Sequence, residues 1–271
     1  MEELERIERD GVALVGRAAG PLRFGFTERG GGVSKAPYAG LNLGAHVGDD
    51  PAAVHENRRR ALALLGAEEL LPRLVVPKQV HGSRIVVVGS AAPEALERAR
   101  ADVAGGADAV VCTAPGVPVL LNFADCVPVI LLCEGADGPA FAVAHSGWKG
   151  TIARIAAKAA VELARAAGAA PSDVRAYLGP HITGAEYEVS AELLARFTAE
   201  FGTVAQGAGP RLLDLAACIR SALEEVGVPA DGVVDTGLST VAQNERFFSY
   251  RVEHGVQGAC GRHGALAVIV P

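Results

Sequence analysis

Residues 117–132 read Val-Pro-Val-Leu-Leu-Asn-Phe-Ala-Asp-Cys-Val-Pro-Val-Ile-Leu-Leu. Two apolar runs of strand character flank a polar interruption at residues 122–126. An ionisable pair in the middle of a buried sheet costs several kcal/mol unless something meets it. The stretch therefore predicts a sheet interior with a built polar site inside it.

Two further segments have the same form, an apolar run ending in one reactive side chain. Residues 74–80 lead into His81-Gly82, and residues 139–144 lead into His145-Ser-Gly-Trp-Lys-Gly. Placed side by side, these strands would bring His81, Cys126 and His145 to one end of a sheet, where α/β proteins build their sites. Two imidazoles and a thiolate suit zinc, with a fourth position left for water or substrate. The spacing matches none of the short Cys-x2-Cys or His-x3-His patterns. It also reads as a small buried cysteine beside two hydrogen-bonded turn histidines, and spacing alone leaves both readings open.

The 271 residues are enough for a large core, and Gly (33) and Pro (15) are spread along the chain without marking a linker. A single domain over 1–271 is expected. Lys plus Arg is 25 against 31 Asp plus Glu, a net charge of −6 with no basic stripe, so nucleic acid is not an expected partner. The charged opening Met1-Glu-Glu-Leu-Glu has no apolar signal core, and no run approaches the about eighteen apolar residues of a membrane span. A cytoplasmic protein is expected, and its five cysteines without Cys-x2-Cys spacing read as reduced thiols.

Along the chain, residues 11–26 alternate as a hairpin. Gly30-Gly-Gly32, between Arg29 and Ser34, reads either as an anion cradle or as a flexible hairpin tip. A glycine-rich loop carries Asn42, His46 and Asp49, and Asp50-Pro51 opens a helix holding Arg58 and stopped by Gly66. Residues 83–89 read as the hairpin partner of the strand before His81. Residues 93–101 form a short helix, and 105–118 are strand and turn. One long amphipathic helix is expected over 151–167, its N-terminus and Lys149 offering an anion site, although Lys149 reads as readily as a surface lysine. A strand at 174–178, helices at 190–201 and 211–226, an alternating aromatic strand at 246–251 and a buried strand at 265–270 complete the reading.

The motifs Phe26-Thr-Glu-Arg-Gly-Gly-Gly-Val-Ser34, Leu41-Asn-Leu-Gly-Ala-His46, Gln79-Val-His-Gly82, Ala124-Asp-Cys-Val-Pro128, Ala144-His-Ser-Gly-Trp-Lys-Gly150 and Phe247-Phe-Ser-Tyr-Arg251 follow one another along nearly the whole chain. In that order the sequence resembles the laccase-domain purine nucleoside phosphorylases, once called multicopper polyphenol oxidases. The resemblance implies a single-domain α/β (α+β) fold of layered mixed sheets flanked by helices, with one zinc on His81, Cys126 and His145. It implies purine nucleosides and phosphate as partners, in phosphorolysis of adenosine, inosine, guanosine and methylthioadenosine and in deamination of adenosine. Arg29, Ser34, Asn42, Arg58, Gln79 and Lys149 are then candidates for substrate and phosphate, and His46, Asp125 and Cys126 for catalysis. A monomer or a small homo-oligomer is expected.

Three positions depart from the family's pattern. Ser239-Thr240 stands where Cys-Thr is usual, Lys149 replaces an arginine of Gly-Trp-Arg-Gly, and Val252-Glu-His-Gly255 replaces Arg-Asp-Gly. Multicopper chemistry needs roughly ten imidazoles, many as His-x-His pairs. This chain has seven histidines, no His-x-His and one methionine, so laccase chemistry is not expected. Two other readings compete. One is a thiol hydrolase or amidase of the peptidoglycan-editing type, with Cys126 as nucleophile, His145 as base and Asp125 nearby. The other is a binding module with a closed structural zinc, for which the sequence offers no fourth ligand.

Overall fold

The two apolar runs either side of Asn122 become strands, but of different sheets. In the computed structural model, which describes residues 4–136 and 138–271, the first sheet has the order β1-β2-β3-β11-β6 and is antiparallel throughout. Its strands are β1 (Glu5–Arg9), β2 (Val12–Arg17), β3 (Leu22–Thr27), β6 (Val119–Phe123) and β11 (His263–Ile269). The second sheet, mixed, has the order β10-β9-β7-β8-β5-β4: β4 (Ile85–Val88), β5 (Ala109–Cys112), β7 (Val127–Gly135), β8 (Gly138–Ser146), β9 (Arg175–Leu178) and β10 (Val233–Asp235). Residues 124–126 are the crossing from one sheet to the other. That correction explains the polar interruption, because a crossing lies at the rim of both sheets and can open to a cleft.

Side-chain alternation sorts the core into layers. Between the sheets, Phe24, Phe26, Phe123 and Leu121 of the first meet Ile130, Phe141, Val143 and Tyr177 of the second. Beneath the first sheet, Leu14, Leu120 and Leu266 pack on Leu41, Leu43 and on Leu62 of α1 (Pro51–Leu64). Over the second sheet, Val111, Val129 and Ala144 pack against Ile155 and Leu163 of α4 (Ile155–Ala167) and Ile219 of α6 (Leu215–Glu225). Strands of the second sheet are buried on both faces, which is why 109–112 and 127–133 read as continuous apolar runs.

Helix ends follow sequence chemistry. Asp50 accepts from the Ala52 amide and Pro51 starts α1, while Gly168 closes α4 in the left-handed region. Ser190 caps α5 (Ala191–Phe201) and Asp214 caps α6.

Several expectations need correction. Residues 74–80 form no regular strand: Val75 makes one parallel bridge to Val119, and Pro77 removes a ladder donor. β4 is not the hairpin partner of that segment but pairs in parallel with β5, because α2 (Pro93–Ala104) carries the chain across between them. The expected long helix is broken at Arg154 (φ 59°) into α3 (Trp148–Ile152) and α4, and Arg154 turns out to Glu200 and Glu225. Residues 246–251 are no strand either. Ser249 caps α7 (Tyr250–Gln257), and Phe247 and Phe248 are both buried, which alternation along a half-exposed strand would forbid.

Candidate metal centre and cleft

The sheet register builds the site. β5 and β8 pair with Ala109 opposite Ala144, so Asp108 and His145 stand opposite each other one step on, and the His145 amide donates to the Asp108 carbonyl at 2.7 Å. Cross-strand neighbours on one face meet, and His145 Nδ1 lies 2.9 Å from Asp108 Oδ1. β7 and β8 pair with Val127 opposite Ser146, which sets Cys126 beside Gly147. His81 comes from the loop before β4, in the left-handed region at φ 58°. Its backbone amide donates to Asp108 Oδ1 at 2.9 Å, and the amides of Val80 and Gly82 donate to Oδ2 at 3.2 and 2.7 Å.

The three side chains thus converge, although only His145 sits on a strand, with Cys126 just before β7 and His81 in the loop before β4. Cys126 Sγ lies 3.9 Å from His81 Nε2, the two imidazole centroids are 4.7 Å apart at 75°, and the ligand atoms of His81, Cys126 and His145 lie within 4.8 Å of one another. Zinc bonds of about 2.1 Å to nitrogen and 2.3 Å to sulfur give tetrahedral edges of roughly 3.5 Å, so the donors fit a metal after a small closure. Burial opposes both charged forms, yet the charge of His145, with hydrogen bonds from both rings, pulls the Cys126 thiol well below its ordinary value. The Cys126 thiolate and Asp108 push His145 up against its own burial. Burial would raise the Asp108 carboxyl, but His145 and the amides of Gly82 and Val80 hold it down.

The cluster opens into a cleft of about 1120 Å³, whose walls include Phe123, Trp148, Tyr187 and Tyr250. Its other charged lining is cationic, Arg58, Lys78, Arg251 and Arg262, with Asp125 as the acid, and His46 stands among them. Asp125 (φ 84°) is already engaged, Oδ1 accepting from Thr240 Oγ1 at 2.7 Å and Oδ2 from the Arg251 amide at 2.6 Å. Arg58 donates through Nε and Nη2 to the Leu43 carbonyl, and Arg262 through Nη1 to the carbonyls of Cys260 and Gly261. Both are held by carbonyls rather than carboxylates, so their charge stays available to an anion. Burial first, then Arg262, Arg58 and His145, lower the pKa of His46, which keeps its ring neutral at neutral pH.

Of the remaining candidates, Gln79 lines the cleft, but its amide is spent on the backbone of Asn122, giving and taking at 2.8 Å. Asn42, Ser34 and Arg29 lie behind the wall. Asn42 accepts the Arg262 amide at 2.8 Å and donates to Asp49, to which Ser34 also donates. Arg29 is bound to Glu253 at 2.6 Å and lies 4.2 Å over the Phe248 ring. Lys149 is exposed, 5.4 Å from the Trp148 ring, and does not line the cleft. Ser239 donates to Glu186. The residues not foreseen are Asp108, Lys78, Tyr187, Tyr250, Arg251, Arg262 and Asn122, whose buried Oδ1 has no hydrogen-bond partner among the described residues. Asp108 alone had a readable signal, an acid at the head of an apolar strand.

No helix of the described residues is long and apolar enough to cross a membrane. The chain is 40% identical over 236 residues to a purine nucleoside phosphorylase of Deinococcus radiodurans, covering 86% of this chain and 85% of that protein. It is 35% identical over 232 residues to adenosine deaminase RL5 from an unknown prokaryotic organism, covering 83% and 86%. Among solved structures, the Bacillus licheniformis hypothetical protein YfiH superposes with a TM-score of 0.83 at 28% identity, over 97% of both chains. Residues 23–270 match the family described as multi-copper polyphenol oxidoreductase laccase, and with relatives of this identity and coverage the chain belongs to that family.

Proposed function

We propose that this chain is a zinc-dependent purine nucleoside phosphorylase that also deaminates adenosine. The observation that carries the reading is the His81–Cys126–His145 cluster at the wall of an aromatic cleft whose arginines have no carboxylate partner among the described residues. The relatives' names support the reaction class. The donor set, two imidazoles and one thiolate, supports zinc. Five free cysteines fit a reducing, cytoplasmic setting.

In this reading Arg58 and Arg262 hold phosphate as point and fork donors, and Lys78 and Arg251 add charge at the rim. Neutral His46 beside them takes a proton from the monoanion, so that the dianion forms next to the ribose C1′. Phe123, Trp148, Tyr187 and Tyr250 provide flat apolar walls for a purine and exclude water. Zinc, when bound, supplies Lewis acidity towards the substrate or water.

The test is chromatographic. Wild-type protein incubated with adenosine should release adenine and ribose 1-phosphate only when phosphate is present, inosine appearing in either case, and Cys126→Ser should form none of the three. Zinc-loaded protein that turns over none of adenosine, inosine and methylthioadenosine overturns the reading.

One observation favours a second reading. Without metal, Cys126, His145 and Asp108 form a thiolate, an imidazolium and an orienting carboxylate, the arrangement of a cysteine hydrolase. The acid on His145 is Asp108, whereas Asp125 is committed to Thr240 and Arg251.

A further inference from the structure

We propose that Asp108 is the positioning residue of the metal centre, one buried carboxylate that sets both histidine ligands at once. The inference rests on the reading of the cluster as a metal site.

Asp108 is wholly buried and does not itself line the cleft, lying behind His81 and His145, which do. Its carboxylate nevertheless takes four contacts, all from the two histidine segments. Oδ1 meets His145 Nδ1 and the His81 amide, and Oδ2 meets the amides of Val80 and Gly82. With Nδ1 engaged, His145 has only Nε2 left to offer, which fixes both its tautomer and its ring plane. Three successive amides converging on one carboxylate form an anion nest, and that nest holds His81 in the left-handed backbone that aims its ring at Cys126. The two ligands come from distant parts of the chain, and Asp108 is the group that ties them together.

Charge balance points the same way. A Cys126 thiolate and an Asp108 carboxylate place two negative charges beside two neutral imidazoles, and a divalent cation brings that buried sum to zero. Removing the carboxylate charge removes half of the complement.

The experiment measures zinc affinity by competition with a chromophoric chelator on the full chain. Asp108→Asn keeps the size and loses both the charge and one acceptor oxygen. It should bind zinc about 10- to 100-fold more weakly than wild type, with unchanged stoichiometry at saturation. Equal affinity in a folded Asp108→Asn protein overturns the proposal. The wild-type protein supplies an independent test that does not depend on the variant folding, the nitrogen NMR of His145 in the zinc-loaded state. Nδ1 should carry a proton protected from exchange and Nε2 should carry the metal shift. Metal on Nδ1, or a freely exchanging Nδ1 proton, overturns it. If wild type and Cys126→Ser bind zinc equally, the metal reading itself fails, a result distinct from the others.

Discussion

Gly147 lies against Cys126 so closely that a β-carbon on it would stand 2.7 Å from Sγ and 3.2 Å from His81 Cδ2. Its own backbone (φ −76°, ψ 179°) is open to any residue. The glycine between His145 and Trp148 is therefore needed for clearance at the donors, not for an unusual turn. Gly147→Ala should weaken zinc binding at least about tenfold, since ligands displaced by a fraction of an ångström lose affinity steeply. Its urea midpoint should fall only slightly. Chelator competition and urea titration on the same sample check this, and a wild-type zinc affinity in Gly147→Ala would contradict it.

His46 reports on the anion site. Its pKa is lowered by burial and by Arg262 and Arg58. An anion placed among these groups offsets the two guanidinium charges, so bound phosphate should raise the His46 pKa. An NMR titration of the His46 ring with and without phosphate reads the shift. An unchanged or lowered value would place the anion elsewhere.

Arg262 and Arg29 separate binding from stability. Arg262 lines the cleft with no carboxylate partner among the described residues, so Arg262→Ala should raise KM for phosphate about tenfold or more and change the unfolding midpoint little. Arg29 sits behind the wall on Glu253, which is 3% exposed. Removing one partner of such a pair costs about 3–5 kcal/mol. Arg29→Ala should therefore lower stability, while KM in the remaining folded protein stays close to wild type. Steady-state kinetics in phosphate and urea unfolding of both variants decide between these roles.

His263 makes the fold sensitive to acid. The ring is fully buried beside Phe123 and Phe247. Burial holds its pKa down to about 3 from the ordinary 6.5 against an opposing pull from the Pro180 carbonyl, with Arg262 and Arg29 adding to the lowering. A depressed histidine is neutral in both states above 6.5, so its contribution is intact there. As pH falls from 6.5 towards 3, only the unfolded chain takes the proton, and stability drops by about 1.4 kcal/mol per pH unit from this group. Urea unfolding at pH 7 and pH 5 should show that slope in wild type and a shallower one in His263→Leu. Equal slopes would sink the assignment.

The convergence of His81, Cys126 and His145 is legible in the sequence, and the limits of that legibility have physical causes. His81, Cys126 and His145 each end an apolar run, and reactive groups at such ends have few places to go except a shared rim. What the runs could not reveal is that 117–132 belongs to two sheets, because a strand buried on both faces looks the same in either. Asp108 heads an apolar strand, but its role shows only through register: its partner His145 is 37 residues away, opposite it across β5 and β8. Arg251 reaches the cleft because Ser249 caps α7, which begins at Tyr250, and alternation of aromatics gave no hint of that cap; Arg262 comes from the segment just before β11. Arg29 and Ser34 looked like a cradle from composition, yet both are consumed by partners from distant segments, Glu253 and Asp49.

The central claim is that the cluster works as a metal centre. Metal-free protein titrated with zinc, while ribose 1-phosphate formation from adenosine and phosphate is followed, tests it most directly. Activity should rise linearly, level off at one zinc per chain, and stay absent throughout in Cys126→Ser. Full activity in metal-free protein, lost on alkylation of Cys126, would contradict the account and make the thiolate itself the reacting group.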